Sequence, residues 1–228
     1  MRTLAIGDIH GCSQALRALL DAVKPGPDDW LVTLGDYVDR GPDSYGVIEQ
    51  LLALHRTGRL IAVRGNHEEM MLLARQSPEK LRTWLDCGGK QALASYSPRG
   101  GGGSLADVPD EHWHFLEKVC IDWHETDTHV FVHGNVCPTL PMEEQLNLML
   151  RWGAFDKTRS VPHCSGKVVV CGHTQQRSGL PLNLGHAVCI DTWAYGAGWL
   201  TCLDVTTERV CQANQAGRVR TLWLEEIG

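Results

Sequence analysis

The sequence predicts an α/β fold, because short apolar runs alternate with amphipathic helical patterns over the first third of the chain. Apolar runs at 4–6, 31–34 and 60–63 are each followed closely by glycine and then by Asp8, Asp36 or Asn66. The strand–helix–strand order implies a parallel sheet with right-handed crossovers. Ligand sites in such sheets lie beyond the carboxyl ends of the strands, so we expect these three side chains to share one site.

The helices between these strands are predicted from apolar spacing and from end signals. Apolar residues recur at helical spacing over 13–23, and Ser13 is suited to cap that helix. In the second helix, Pro42 fits the first turn and an apolar stripe covers 47–54. A third helix is predicted over 67–75, where the acidic charge of Glu68 favours the first turn.

The middle of the chain is expected to be a helical insertion, at about 78–124, in a single domain that spans 1–228. Helical patterns cover 81–96 and 111–121, and the glycine run Gly100 to Gly103 lies between them. Consecutive glycines disfavour regular structure. The run is therefore predicted to be a surface loop, with a mobile lid over a substrate groove as the alternative.

The last third is predicted to be mostly β structure. Apolar runs at 130–132 and 168–171 lead to His133 and His173, which repeats the strand-end pattern with imidazole instead of carboxylate. Four further β-rich segments at 187–190, 200–205, 209–212 and 219–224 are separated by turns. We expect them to form a largely antiparallel second sheet that packs on the first.

Composition excludes several classes of protein. The 228 residues carry a formal net charge of −6, which provides no basic surface for nucleic acid. No apolar run approaches the roughly 20 residues that cross a bilayer, and we expect no signal sequence. The nine cysteines are dispersed, as is usual for reduced thiols. We therefore expect a soluble cytoplasmic monomer without membrane or nucleic-acid partners.

Polar side chains at five predicted strand ends indicate a metal site. The set mixes carboxylate, amide and imidazole, which suits manganese, iron or zinc better than calcium or magnesium. One ion would leave some of these ligands unused, whereas two ions about 3.5–4 Å apart and bridged by a carboxylate would use them all. The predicted ligands are Asp8, His10, Asp36, Asn66, His133 and His173.

Three motifs resemble the signatures of the calcineurin-like metallophosphoesterases. They are Gly7-Asp8-Ile9-His10-Gly11, Gly35-Asp36-Tyr37-Val38-Asp39-Arg40-Gly41 and Gly65-Asn66-His67-Glu68. The forms of these motifs that include Asp39, Arg40 and Glu68 resemble the phosphoprotein phosphatase branch of the family. Two later motifs, Cys171-Gly172-His173-Thr174 and Ile190-Asp191-Thr192, are similar to those of bacterial and phage-type members of that branch. The resemblance implies a four-layer α/β/β/α sandwich of two mixed sheets flanked by helices.

The resemblance also implies how the metals are held and used. Asp8 and His10 would bind the first ion, Asp36 would bridge, and Asn66, His133 and His173 would bind the second. Two divalent ions are implied, with manganese expected and iron or zinc as alternatives. A water or hydroxide held between them would attack phosphorus in line.

Other motif residues are implied to handle protons and phosphate. His67 corresponds to the general acid, and Asp39 to the carboxylate that orients it. Arg40 corresponds to a phosphate-binding arginine. Arg151 is the candidate for a second one, with a surface salt bridge as the alternative. Trp193 stands where bacterial relatives commonly have glycine, which leaves the shape of the substrate groove open.

Three functions are compatible with the sequence. The first is a phosphomonoesterase that acts on phosphoserine, phosphothreonine or phosphotyrosine in proteins, and on small phosphate esters. The second is a hydrolase of dinucleoside polyphosphates or another phosphodiester, although such relatives commonly lack the carboxylate of Asp39 and carry Asp at the position of Glu68. The third is a non-catalytic scaffold, against which the complete ligand set argues.

Overall fold

The computed structural model describes residues 1–97 and 102–227, which form two mixed β sheets flanked by helices. The first sheet has six strands, in the order β11 (Val219–Trp223), β10 (Arg209–Ala213), β9 (Leu200–Asp204), β1 (Thr3–Ile6), β2 (Trp30–Thr33) and β3 (Leu60–Ala62). The second has five, in the order β4 (Trp123–Glu125), β5 (His129–Val132), β6 (Val168–Cys171), β8 (Ala187–Cys189) and β7 (Leu182–Asn183). Two mixed sheets agree with the architecture implied by the resemblance.

The predicted parallel unit is present, but the last strands extend it instead of forming a separate sheet. β1, β2 and β3 are parallel neighbours. β9 pairs antiparallel with β1, and β10 and β11 follow it antiparallel in the same sheet. In the second sheet β5, β6 and β8 are parallel. The prediction of a largely antiparallel second sheet was therefore wrong, because single-strand patterns do not specify which edge a strand joins.

Seven α helices connect and cover the sheets. They are α1 (Ser13–Val23), α2 (Ser44–His55), α3 (Asn66–Ala74), α4 (Pro78–Trp84), α5 (Lys90–Tyr96), α6 (Asp110–His114) and α7 (Asn147–Trp152). This count covers the described ranges only. Helices occupy the stretch predicted as an insertion, whose status as an insertion stays a prediction. Of the glycine run predicted as a loop or lid, Gly100 and Gly101 lie outside the described residues.

Some helix boundaries differ from prediction for identifiable reasons. Ser13 is the first residue of α1 and provides no cap, since Cys12 holds the capping position. Pro42 precedes α2, which Asp43 caps by accepting from the Gly46 backbone N–H at 2.9 Å. The single helix predicted over 81–96 is interrupted by a wide turn, Leu85–Gly89, in which Gly88 has φ 121°.

Three apolar layers hold the sheets and helices together. One lies between the first sheet and α1 to α6, and another fills the space between the two sheets. The third covers the outer face of the second sheet beneath α7. Successive side chains of β5 alternate between the two faces of its sheet. Phe131 points between the sheets, whereas Val130 and Val132 point to the outer layer. Within the described ranges, no helix is both long and apolar enough to span a membrane.

Candidate metal centre

Asp36 lies at the middle of a cluster of metal-ligating side chains beyond the carboxyl end of β2. It is buried, and its Oδ2 is 3.3 Å from His10 Nε2 while its Oδ1 is 3.3 Å from His133 Nε2. Two groups of possible metal ligands both contain Asp36. One consists of Asp36, His10 and His67, and the other of Asp36, His133 and His173. In each group the ligand atoms lie within 4.8 Å of one another. One carboxylate is therefore shared between two adjacent ligand groups.

The remaining predicted ligands lie beside these groups. Asn66 Oδ1 is 3.0 Å from His133 Nε2 and 3.1 Å from His173 Nδ1, so amide oxygen and imidazole nitrogens converge. Asp8 follows β1, and both its carboxylate oxygens accept from the His173 backbone N–H at 3.1 Å. The structure thus brings together all six residues that the sequence predicts as ligands, although Asp8 lies beside the two groups instead of within one.

Backbone carbonyls orient two of the imidazoles for metal binding. His10 Nδ1 lies 2.9 Å from the Val38 carbonyl oxygen. His133 Nδ1 lies 2.8 Å from the Leu34 carbonyl oxygen. Each Nδ1–H donates to its carbonyl, which leaves the Nε2 lone pair facing Asp36. Burial lowers the pKa of His10 well below its usual value and that of His133 to about 4, so both rings are neutral, as a metal ligand must be.

Three carboxylates are buried in the same region, which favours cation binding. Burial, with the charges of Asp191 and Asp36, raises the pKa of Asp8 well above its usual value. Burial raises the pKa of Asp191 to about 6. Burial also acts to raise the pKa of Asp36, but the surrounding imidazoles outweigh it and lower that pKa. Because buried like charges are costly without counterions, the residues present fit divalent cations.

A histidine–carboxylate pair lies at the edge of the centre. His67 Nδ1 is 2.6 Å from Asp39 Oδ2, and its Nε2 is 3.9 Å from Asp36 Oδ2. Burial acts to lower the pKa of His67, but Asp36 and Asp39 together outweigh it and raise that pKa. This environment favours a protonated ring with Nε2–H directed toward the centre, which is the form that a general acid requires.

Arg40 stands at the open side of the centre. Its Nη1 lies 2.9 Å from His10 Nε2, and its guanidinium lies over the Tyr195 ring, 4.9 Å from the centroid. Arg40 and Tyr195 line a groove of about 480 Å³ together with residues of the Leu85–Gly89 turn and α5. The exposed guanidinium therefore has access to an anion that enters the groove.

Arg151, by contrast, is engaged by carboxylates. It lies on α7, is buried, and donates from Nε to Asp122 Oδ1 at 3.1 Å. Its Nη1 pairs with Glu69, and its Nη2 lies 2.5 Å from Asp122 Oδ1. Arg151 therefore forms salt bridges, although as a buried side chain and not at the surface as the alternative had it, and a role for Arg151 in substrate binding stays a prediction.

Glu68 has a structural role that the sequence analysis missed. It is buried, and its carboxylate accepts from the backbone N–H groups of Asp36 at 2.8 Å, Tyr37 at 2.7 Å and Gly65 at 2.8 Å, and of Val38 at 3.3 Å. It therefore ties the loop after β2 to the loop after β3. The capping-box spacing predicts only the bond to Gly65, because the other donors are distant in sequence.

Left-handed backbone conformation is concentrated at the centre. Non-glycine residues rarely adopt φ between +20° and +160°, and such strained positions are common at functional sites. Among the residues predicted to act in the site, positive φ occurs at His10, Asp36, Asp39, Arg40 and His173, with values between 45° and 72°. The surrounding structure holds the backbone at these residues in a conformation that a relaxed chain would disfavour.

Sequence comparison shows which known proteins this chain is similar to. Residues 1–177 match the family model described as calcineurin-like phosphoesterase. Serine/threonine-protein phosphatase 1 of Salmonella typhimurium is 48% identical over 85 residues, which is 37% of each chain. The symmetrical bis(5'-nucleosyl)-tetraphosphatase of Janthinobacterium sp. is 32% identical over 172 residues, which is 68% of this chain and 54% of that protein. This chain thus aligns with less than two thirds of each of these relatives.

Solved structures share the fold at low sequence identity. A protein serine/threonine phosphatase from Saccharomyces cerevisiae has a TM-score of 0.62 at 16% identity, with 98% of this chain and 80% of that chain covered. A structure assigned as a candidate diadenosine tetraphosphatase has a TM-score of 0.63 at 21% identity, with 97% and 92% covered. These likenesses confirm the predicted architecture of two mixed sheets flanked by helices.

Proposed function

Because this chain belongs to the calcineurin-like phosphoesterase family, we propose that it is a metal-dependent phosphomonoesterase that acts on phosphoserine or phosphothreonine in proteins. Phosphotyrosine and small aryl phosphates would be further substrates. Two divalent cations, manganese in the first place, would be held by Asp8, His10, Asp36, Asn66, His133 and His173. When bound, they would supply Lewis-acid activation of water and neutralise phosphate charge.

One observation carries the choice of a monoester substrate, namely the buried hydrogen bond of 2.6 Å between His67 and Asp39. A serine or threonine side chain leaves as an alkoxide, which must be protonated as its bond to phosphorus breaks. A nucleotide leaves as a phosphate, which is already stable as an anion at neutral pH. A proton donor that is oriented by its own carboxylate therefore contributes most where the leaving group is an alkoxide.

In this proposal, each residue at the open side acts on a defined atom. Arg40 would donate two N–H groups to non-bridging oxygens of the phosphoryl group, for which its planar guanidinium is suited. His67 Nε2 would give its proton to the departing oxygen. Asp39 would remain a carboxylate and hold the imidazole in the required orientation.

The second candidate is a dinucleoside polyphosphate hydrolase that uses the same metal centre. The relative from Janthinobacterium, aligned over 68% of this chain, is the observation that favours it. In such a reaction the leaving group is a nucleotide, and the contribution of His67 as an acid would be small. The two candidates therefore predict different sensitivities to loss of this residue.

The proposal is tested with four substrates on chelator-stripped protein to which manganese is restored. They are a phosphoserine peptide, p-nitrophenyl phosphate, bis(p-nitrophenyl) phosphate and a dinucleoside tetraphosphate. We expect the peptide and the monoester to be hydrolysed in preference to the other two. Preference for the dinucleotide, with little loss in His67→Asn, would overturn the proposal in favour of the second candidate.

A further inference from the structure

The residues 84–89, here called the Trp84 segment, join α4 to α5 and contact the second motif at two adjacent residues. The Trp84 side chain meets Asp39, and the Gly88 backbone meets Arg40. We propose that Trp84 is a positioning residue, which holds the Asp39 carboxylate in the orientation that His67 needs. The Trp84 segment thereby links the helical region of the chain to proton transfer in the centre.

The first contact is a shared hydrogen bond from the indole to both carboxylate oxygens. Trp84 Nε1–H donates to Asp39 Oδ2 at 2.8 Å and to Oδ1 at 3.0 Å. Both side chains are fully buried, so water does not compete for these oxygens. Asp39 Oδ2 also accepts from His67, and the Asp39 backbone N–H donates to Ser44 Oγ at 3.0 Å. Among residues 1–97 and 102–227, the side chains that hydrogen-bond to this carboxylate are those of His67 and Trp84, so the indole fixes the rotation of the carboxylate.

The second contact holds the neighbouring arginine. The Arg40 backbone N–H donates to the Gly88 carbonyl oxygen at 3.3 Å. Gly88 has φ 121°, and a Cβ there would lie 2.8 Å from Arg40 N, so this approach requires glycine. A Cβ at Gly89 would lie 2.5 Å from a ring carbon of Trp84, so the backbone also packs tightly on the indole. The Trp84 segment is therefore packed closely against both Asp39 and Arg40.

The orientation of the Asp39 carboxylate matters when His67 transfers its proton to the leaving group. The inference rests on the proposed function, because that function includes this step. As the oxygen of an attacking hydroxide bonds to phosphorus, the bond from phosphorus to the leaving oxygen breaks. The electron pair of that bond goes to the leaving oxygen, and the proton on His67 Nε2 moves to the same oxygen. Asp39 stays ionised and stabilises the imidazolium before transfer. If the carboxylate rotates, the imidazole loses its orientation and transfer becomes less effective, while phosphate and metals still bind.

The test compares Trp84→Phe with Trp113→Phe in the manganese-loaded protein. Phenylalanine keeps most of the packing but has no N–H donor. Trp113 is a buried tryptophan of α6 whose ring contacts the Arg75 guanidinium, and it serves as the matched control. For Trp84→Phe we expect kcat to fall about 10–100-fold with phenyl phosphate, a poor leaving group, and by less than about threefold with p-nitrophenyl phosphate. Manganese content should be unchanged.

Equal losses with both aryl phosphates, or none, would overturn the positioning role, as would the same pattern in Trp113→Phe. A second measurement does not depend on turnover or on the folding of the Trp84 variant. Protein labelled with ¹⁵N-tryptophan has eight indole N–H resonances. We expect the resonance whose chemical shift changes most in Asp39→Asn to be the one whose proton exchanges most slowly with water. No shifted resonance in that variant would also overturn the inference. Because neither readout uses a phosphopeptide, failure of the proposed substrate class remains distinguishable.

Discussion

Replacing Asp36 with asparagine tests the shared carboxylate most directly. Each Asp36 oxygen faces a different ligand group, with 3.3 Å to His10 on one side and 3.3 Å to His133 on the other. Asparagine keeps one neutral oxygen and turns the other into an NH2 group that has no lone pair for a metal. We therefore expect Asp36→Asn to bind at most one manganese ion per chain where the native protein binds about two.

The effect on catalysis follows from the lost charge stabilisation. A metal ion contributes several kcal/mol to stabilising a phosphoryl transition state. A loss of about 4 kcal/mol corresponds to a rate decrease of about 10³-fold. The fold should persist, because asparagine Oδ1 can still accept the His67 backbone N–H, which donates to Asp36 at 3.1 Å. Removing a buried charge also lowers the cost of burial in the metal-free state.

The assay combines metal analysis by mass spectrometry with turnover of p-nitrophenyl phosphate and thermal unfolding of the metal-free protein. Asp204→Asn is the control, because Asp204 is a buried carboxylate at the end of β9 that pairs with the start of β1, away from Asp8. The control should keep both metals and its activity. Two bound metals or native turnover in Asp36→Asn would refute the assignment of Asp36 as the bridging ligand.

Three further changes have defined outcomes. His67→Asn should keep its metals but lose about 10²-fold or more with a phosphoserine peptide and less with p-nitrophenyl phosphate, and an equal loss would show that His67 is not the acid. Glu68→Ala leaves four backbone donors without their acceptor, so urea unfolding should report a loss of about 3–5 kcal/mol, and a loss below about 1 kcal/mol would contradict the tie between loops. The hydrogen bond from Arg2 lowers the pKa of Asp29 to about 2, so this carboxylate stabilises the fold above about pH 4, and the contribution is lost as pH falls toward 2. Asp29→Asn should therefore lower the free energy of unfolding by only about 1 kcal/mol at pH 7, because solvent screens the part-exposed Arg2. The free energy of unfolding should also depend less steeply on pH between pH 4 and 2 in this variant. An unchanged pH slope would show that the Arg2–Asp29 pair does not cause it.

Local sequence patterns predicted the positions of helices and strands better than they predicted which of these elements pack or pair together. The helix over 13–23 and the strand over 168–171 have the predicted bounds. The single helix over 81–96 is broken, because the wide turn with Gly88 at φ 121° packs against Arg40, and this tertiary contact overrides the local helical spacing. The three strands from 200 onward join β1 because their apolar faces cover the same layers, a choice that spacing along the chain does not encode.

For this protein, the sequence by itself determined the α/β class, the family resemblance and the side chains offered at the strand ends. Those depend on residue type and short-range order, since a strand that ends in glycine and a polar residue presents that residue whatever packs around it. The resemblance also implied that Asp36 is shared between two ligand groups. Only the tertiary structure decided that Glu68 ties two loops and that the Trp84 indole meets Asp39. These contacts join residues that lie tens of positions apart, and their energies depend on burial, which exists only once both sheets and their helices have packed.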